Sequence, residues 1–230
     1  MARMGRQLSL PIPPTHGGKR ARAGRKPPAG ARAGVPHRPR PTVSRHVPLH
    51  VTMGVLPDAR GLRRDRVLGA LRASFRAERD RLGFRLVHYA IQHDHWHMVV
   101  EADDDRALAR GMMRLNIRCA RAVNRLAGRR GRVFRDRYHA QPLRTPKIVR
   151  HVLAYVLLNR RRHIAKTGRR PHPRPEADFY SSGAAFDGWR GETPPATCDD
   201  MAVVAPRCWL LRAGWRRHGL IRLDEVPGAG

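Results

Sequence analysis

Alternation of apolar and polar positions begins near residue 45. In RHVPLHVTMGV (45–55), Val47, Leu49, Val51 and Met53 fall on one face of an extended chain, which predicts a first strand. The period then lengthens. In RVLGALRASFRAERDRLG (66–83), Val67, Leu71 and Phe75 recur at helical steps and Gly83 is placed to end the helix. FRLVHYAIQ (84–92) and HWHMVVEA (95–102) return to strand patterning, and the short connection at His93 and Asp94 makes them a hairpin. Leu108, Met112, Leu115, Cys119, Val123 and Leu126 step by three or four through 103–127, the longest helical pattern of the chain. GRVFRDRYHAQPL (131–143), after a GRRG turn, reads as a fourth strand. TPKIVRHVLAYVLLNRRRH (145–163) reads as a helix capped by Thr145, with Pro146 at its first position. Strand, helix, strand, strand, helix, strand, helix describes an α+β sandwich: a four-stranded antiparallel sheet with packed helices, in the ferredoxin-like split βαβ arrangement.

This patterning is confined to one domain, residues 44–164. Residues 1–43 mix proline, glycine and arginine with no apolar period, which predicts a disordered basic arm. Residues 165–230 are rich in proline and glycine and predict an irregular basic C-terminal extension, with one short helix near 201–216. Charge sharpens the picture: 47 basic residues oppose 18 acids, a formal net charge of +29, which points to a polyanion such as nucleic acid as partner. Cys119, Cys198 and Cys208 are odd in number and lack CxxC spacing, so neither a disulfide framework nor a cysteine zinc site is indicated. No run approaches the roughly 20 apolar residues that cross a bilayer, and the first residues have no apolar segment of signal-peptide type. The expectation is a cytoplasmic protein with no membrane partner.

The candidate chemistry lies in HDHWHMVV (93–100). On a strand, His95 and His97 project to one side while Trp96, Met98 and Val100 project to the other, and His93 falls in the turn. Two imidazoles on one face begin a metal site, although among 13 histidines such a pair also arises as exposed neighbours. A divalent site that performs chemistry needs a third ligand and an open position. The last helix offers Tyr155 and Asn159 one turn apart on one face, a phenol and an amide presented together; the alternative for Tyr155 is a half-buried packing residue with a wet hydroxyl. Arg110, Arg114, Arg118, Arg121 and Arg125 form a stripe on the 103–127 helix, which is either a solvated face or a phosphate-binding one.

HWH resembles the His-hydrophobic-His (HUH) signature of the single-tyrosine transposases, and YVLLN resembles their tyrosine helix. With RHVPLHVTMGV, HDHWHMVV, GRVFRDRYHAQPL, HVLAYVLLNRRRH and FYSSGAAFDGW in order across residues 45–190, the chain is similar to the REP-associated tyrosine transposases. These are relatives of insertion-sequence transposases that act on single-stranded DNA hairpins. His93 stands where that family usually has proline, and Arg160 follows Asn159 where it typically has proline; the second departure bears on how the helix ends. The resemblance implies an HUH-endonuclease fold and an enzyme that nicks and joins single-stranded or hairpin DNA. It implies Tyr155 as nucleophile, a 5′-phosphotyrosine link with a free 3′-hydroxyl, and Mg²⁺ or Mn²⁺ held by His95, His97 and Asn159. DNA binding is expected from the arginine stripe and the basic tails. Two rival readings share the fold and charge: a hairpin nucleic-acid-binding protein without catalysis, and a metal-dependent hydrolytic nuclease in which Tyr155 is structural. Tyr155 completes the site of its own chain or, in a homodimer, that of its partner; the sequence admits both.

Overall fold

The computed structural model describes residues 42–166, 177–191 and 202–227. In chain order its elements are β1 (Leu49–Gly54), α1 (Asp65–Glu78), β2 (Asp80–Arg81), β3 (Phe84–Ile91), β4 (His95–Ala102), α2 (Asp105–Leu126), β5 (His139–Pro142), α3 (Pro146–Leu157), α4 (Asn159–Lys166) and α5 (Trp209–Arg212). The strands form one antiparallel sheet in the order β2-β3-β4-β1-β5. Strand alternation sorts the side chains between two layers. Leu49, Val51 and Met53 of β1 and Trp96, Met98 and Val100 of β4 meet Leu68, Leu71 and Phe75 of α1 and Leu108, Met112 and Leu115 of α2 in the first core. The Asp104 carboxylate accepts the Ala107 N–H at 2.7 Å and starts α2.

On the opposite face, Val149, Leu153, Val156 and Leu157 of α3 cover Val87, Ala90 and Val99. Residues beyond the predicted domain complete this second core: Phe186, Trp189, Leu210, Leu211 and Trp215 pack into it. The shift of register between Leu86 and His88 turns Val87 and His88 both to this side, where the His88 ring meets Phe186 edge-on. The outer edge of β3 is covered as well. Ile91 N–H donates to the Tyr180 carbonyl at 2.8 Å, Ser182 N–H to Tyr89 at 2.9 Å and Val204 N–H to Leu86 at 3.0 Å, which removes an exposed pairing edge.

Four expectations change. The sheet has five strands rather than four, because α1 stops at Glu78 and Asp80–Arg81 pair back onto Phe84 and Arg85. Gly83 therefore does not end a helix: Leu82 (φ 50°) and Gly83 (φ 78°) form the tight turn between β2 and β3. Of 131–143, only His139–Pro142 are strand; the stretch before them meets the end of β1 through the isolated bridge from Val55 to Phe134. The helix predicted over 145–163 breaks at Leu158 (φ −106°, ψ 18°) into α3 and α4. Val156 to Asn159 are four successive buried positions, more than one helical stripe accommodates.

Residues 1–41 of the expected arm lie outside the described residues; Val43 is buried, its N–H held by the Asp105 carboxylate at 2.8 Å. The short helix expected near 201–216 corresponds to α5 and the 3₁₀ turn Gly214–His218. Cys119 and Cys208 are buried free thiols, and Cys198 lies outside the described residues. Among the described residues no helix is long and apolar enough to cross a membrane.

The close approach of α2 to β3 depends on Gly111, where an added Cβ would lie 2.2 Å from Cγ of Phe84. Both groups are fixed within the core, so Gly111→Ala is expected to cost about 3 kcal/mol, the upper end for overpacking, read as a lower urea midpoint. An unchanged midpoint would mean that α2 can slide on the sheet.

Candidate active site

The α3 face of the sheet carries a cluster of imidazoles. His95 and His97 come from β4, and the pairing of Thr52 with His97 places the polar face of β1, His50 and Thr52, beside them. His93 lies in the β3–β4 connection, where its carbonyl accepts the N–H groups of Gly61 at 2.9 Å and Leu62 at 3.1 Å.

The ring contacts orient the pair. Nδ1 of His95 stands 2.7 Å from Oδ1 of Asp94. A carboxylate only accepts, so this nitrogen carries the proton and Nε2 of a neutral His95 presents a lone pair. The same hydrogen bond is the leading reason that the Asp94 carboxyl is held below its ordinary range. Nε2 of His97 faces Nε2 of His95 at 3.2 Å, while its Nδ1 lies 3.1 Å from Nε2 of His50 and 3.2 Å from Oγ1 of Thr52. Burial, reinforced by His50, His95, His163 and Arg162, pushes His97 down to about 2. Burial also pushes His50 down to about 4, with His139 adding to the effect. Both rings are neutral donors near neutral pH.

Tyr155 of α3 reaches the same place. Its hydroxyl is 3.4 Å from Nε2 of His97, and its ring stands edge-on to His97 (5.0 Å) and to His50 (5.8 Å). The Arg162 guanidinium lies over the ring, 4.9 Å from its centre, and the His163 ring centre is 6.4 Å from that of His95. One chain therefore contains both the tyrosine and the histidine pair.

The donor set suits a divalent ion in two respects. With metal–nitrogen bonds of about 2.1 Å at angles near 90–110°, two imidazole nitrogens on one ion are separated by about 3.0–3.4 Å, and the observed 3.2 Å falls in that span. Among the described residues nothing partners either side-chain polar atom of the fully buried Asn159, a cost that a ligated amide oxygen would remove. No group of three His, Cys, Asp or Glu side chains among the described residues is arranged to hold an ion, so a metal here would need a third donor of another kind. Asn159 does not share one helix face with Tyr155 as expected; it opens α4, across the turn at Leu158.

The arginine stripe is not brought to this site. It lies on α2, across the sheet from Tyr155, and two of its members serve packing: Arg114 and Arg118 donate to the buried Glu78 carboxylate of α1 at 2.8 and 2.7 Å. Arg110, Arg121 and Arg125 are exposed on that helix. Sequence reasoning missed His50, Thr52, Asp94 and Arg162 as parts of the cluster. The alternation of RHVPLHVTM does place His50 and Thr52 on one face, and only the register with β4 was lacking.

Burial of histidine has a consequence for acid stability. His88 is pushed down to about 4 by burial, with Nδ1 3.2 Å from the Ser182 hydroxyl. The unfolded chain binds this proton near pH 6.5 and the folded chain does not, so stability is complete above pH 6.5 and falls as the pH drops toward 4. At pH 5 this one group removes about 2 kcal/mol. The urea midpoint should fall between pH 7 and pH 5, and fall less in His88→Asn; equal slopes would show that His88 is protonated in the fold.

Residues 49–157 match the family described as IS200-like transposases, a span that runs from the first residue of β1 to the last of α3 and includes His95, His97 and Tyr155. None of the curated proteins matches the chain. Among solved structures, the chain is similar to a REP-associated tyrosine transposase bound to a REP hairpin, with 15% identity over 71% of this chain and 96% of that one and a TM-score of 0.47. It is also similar to a Deinococcus radiodurans protein assigned as a transposase, with 15% identity over 54% of this chain and 92% of that one and a TM-score of 0.37.

Proposed function

We propose that this chain, whose residues 49–157 match the IS200-like transposases, nicks and joins single-stranded or hairpin DNA with Tyr155 as nucleophile. The observation that carries the reading is the meeting of the Tyr155 hydroxyl with His97 and His95 on one sheet face, 3.4 Å from the nearer ring. Oη of Tyr155 attacks the scissile phosphorus; the Oη–P bond forms as the P–O3′ bond breaks. The phenol gives up its proton and the departing 3′-oxygen gains one, so the step is neutral in protons. The 5′ end stays on Tyr155 as a phosphodiester, and attack by another 3′-hydroxyl reverses the step and joins strands without external energy.

The chain's own residues prepare this step. Packing against His50 and His97 fixes the phenol, and Arg162 brings a positive charge to the ring where phosphate must approach. Asp94 holds His95 in the tautomer that leaves Nε2 free. Mg²⁺ or Mn²⁺, held by His95, His97 and Asn159, would polarise the scissile phosphate and neutralise charge at the departing oxygen. The net charge of +29 supplies affinity for phosphates that falls steeply with salt.

The test is incubation with hairpin oligonucleotides labelled at the 3′ end, with Mn²⁺, Mg²⁺ or a chelator, followed by a denaturing gel. A labelled protein adduct is expected with either metal and none with chelator. Asp94→Asn should raise the metal concentration needed by about 10- to 100-fold. Free 5′-phosphate ends without adduct would indicate a hydrolytic nuclease, and salt-sensitive binding without cleavage a binding protein.

A further inference from the structure

A groove of about 480 Å³ opens beside Tyr155, between the edge strand β5 and the first turns of α3. Its size is that of a small-ligand pocket and too small for a duplex. Ile148 and Val152, one helical turn apart, form an apolar wall, and Ile148 is 40% exposed there. Opposite stands Gln141 of β5, exposed and paired in register with His50. Lys147 and His151 complete the rim, and Tyr155 is the wall shared with the candidate active site. An apolar wall for a ring face, an amide at its edge and an ammonium nearby suit a nucleobase with its phosphate.

We infer that this groove receives the base of one nucleotide of the single-stranded substrate, the one whose 5′-phosphate becomes linked to Tyr155, and that Gln141 reads its edge. The inference rests on the nicking reading above. The placement follows from His50, which lines the groove and meets His97 at Nδ1, the ring edge turned away from His95. The departing 3′-oxygen is placed on the Nε2 side, where His95 and His97 would hold the ion that neutralises its charge, so the retained nucleotide extends to the other. A glutamine amide pairs bidentately with N6 and N7 of adenine, which makes adenine the expected base.

The experiment uses a pool of hairpin oligonucleotides randomised in their single-stranded flanks, with Mn²⁺ and sequencing of the DNA covalently retained on the protein. Adenine should be enriched at the first retained position by roughly 5- to 150-fold, the value of one good bidentate base contact. Gln141→Ala should bring that position close to even while other positions keep their preferences, and Ile148→Glu should lower adduct yield for every base. An enrichment that survives Gln141→Ala overturns the inference. Equilibrium binding of single-stranded homopolymeric tetranucleotides separates the two failures. If no adduct forms, yet wild type still prefers the adenine tetramer and Gln141→Ala does not, the groove stands and the nicking reading falls; an adduct with no preference in either measurement overturns the groove alone, and no adduct with no binding preference overturns both.

Discussion

Tyr155→Phe is expected to abolish the covalent DNA adduct while leaving the fold and the affinity for hairpin DNA close to wild type. Only one oxygen is removed. The ring keeps its contacts with His50, His97 and Arg162, and the lost hydroxyl's contact with His97 is long, 3.4 Å. A contact of that length contributes little, so stability should change by less than about 1 kcal/mol. The chemical effect is of another order. Phenylalanine cannot form the ester, and loss of a covalent nucleophile typically lowers the rate by on the order of 10⁴-fold or more. Initial rates of adduct formation, with filter binding at one fixed salt concentration, separate the two effects. Cleavage that continues in the variant would identify water as the nucleophile and Tyr155 as a packing residue.

The second large effect concerns stability. Glu101 of β4 is buried, and its carboxylate accepts the N–H of Arg207 at 2.9 and 3.0 Å and that of Cys208 at 2.8 Å, with the Arg85 guanidinium 3.3 Å away. With the Val204–Leu86 hydrogen bond, it ties residues 202–227 to the sheet. Glu101→Ala leaves two backbone donors without acceptors and the 9%-exposed Arg85 side chain without this partner. Breaking a buried charged network by removing one member costs about 3–5 kcal/mol, which for a chain of this size lowers Tm by roughly 6–20 °C. Because Trp215 and Leu211 pack beneath α3, the helix that carries Tyr155, adduct formation should fall with it. A shift of less than about 2 °C in a calorimetric scan would show that the C-terminal stretch is held by its apolar contacts alone.

These two sites differ in how far they could be read from the chain. His95 and His97 share a face because strand geometry requires it, and Tyr155 lies in the most clearly patterned late helix; local periodicity was enough to place both, and the family resemblance to pair them. His50 and Thr52 needed the register of β1 on β4, a contact across some 45 residues that no local pattern encodes. The second core was harder still. Trp189 lies in a loop and Leu210, Leu211 and Trp215 in helices of one turn, too short to show a period, so their burial reflects long-range packing rather than an amphipathic stripe. The arginine stripe shows the converse limit: its spacing was legible, but the buried Glu78 that engages Arg114 and Arg118 lies 36 and 40 residues away in sequence. Asn159 combines both cases, correctly placed after Tyr155 in order yet separated from it by the break at Leu158.

Mass spectrometry of the adduct, formed with hairpin DNA and Mn²⁺ and trimmed with nuclease and protease, tests the nucleophile most directly. The predicted result is a nucleotide attached through its 5′-phosphate to the peptide that contains Tyr155. An unmodified Tyr155 peptide alongside cut DNA, or a nucleotide attached to another residue, would contradict it.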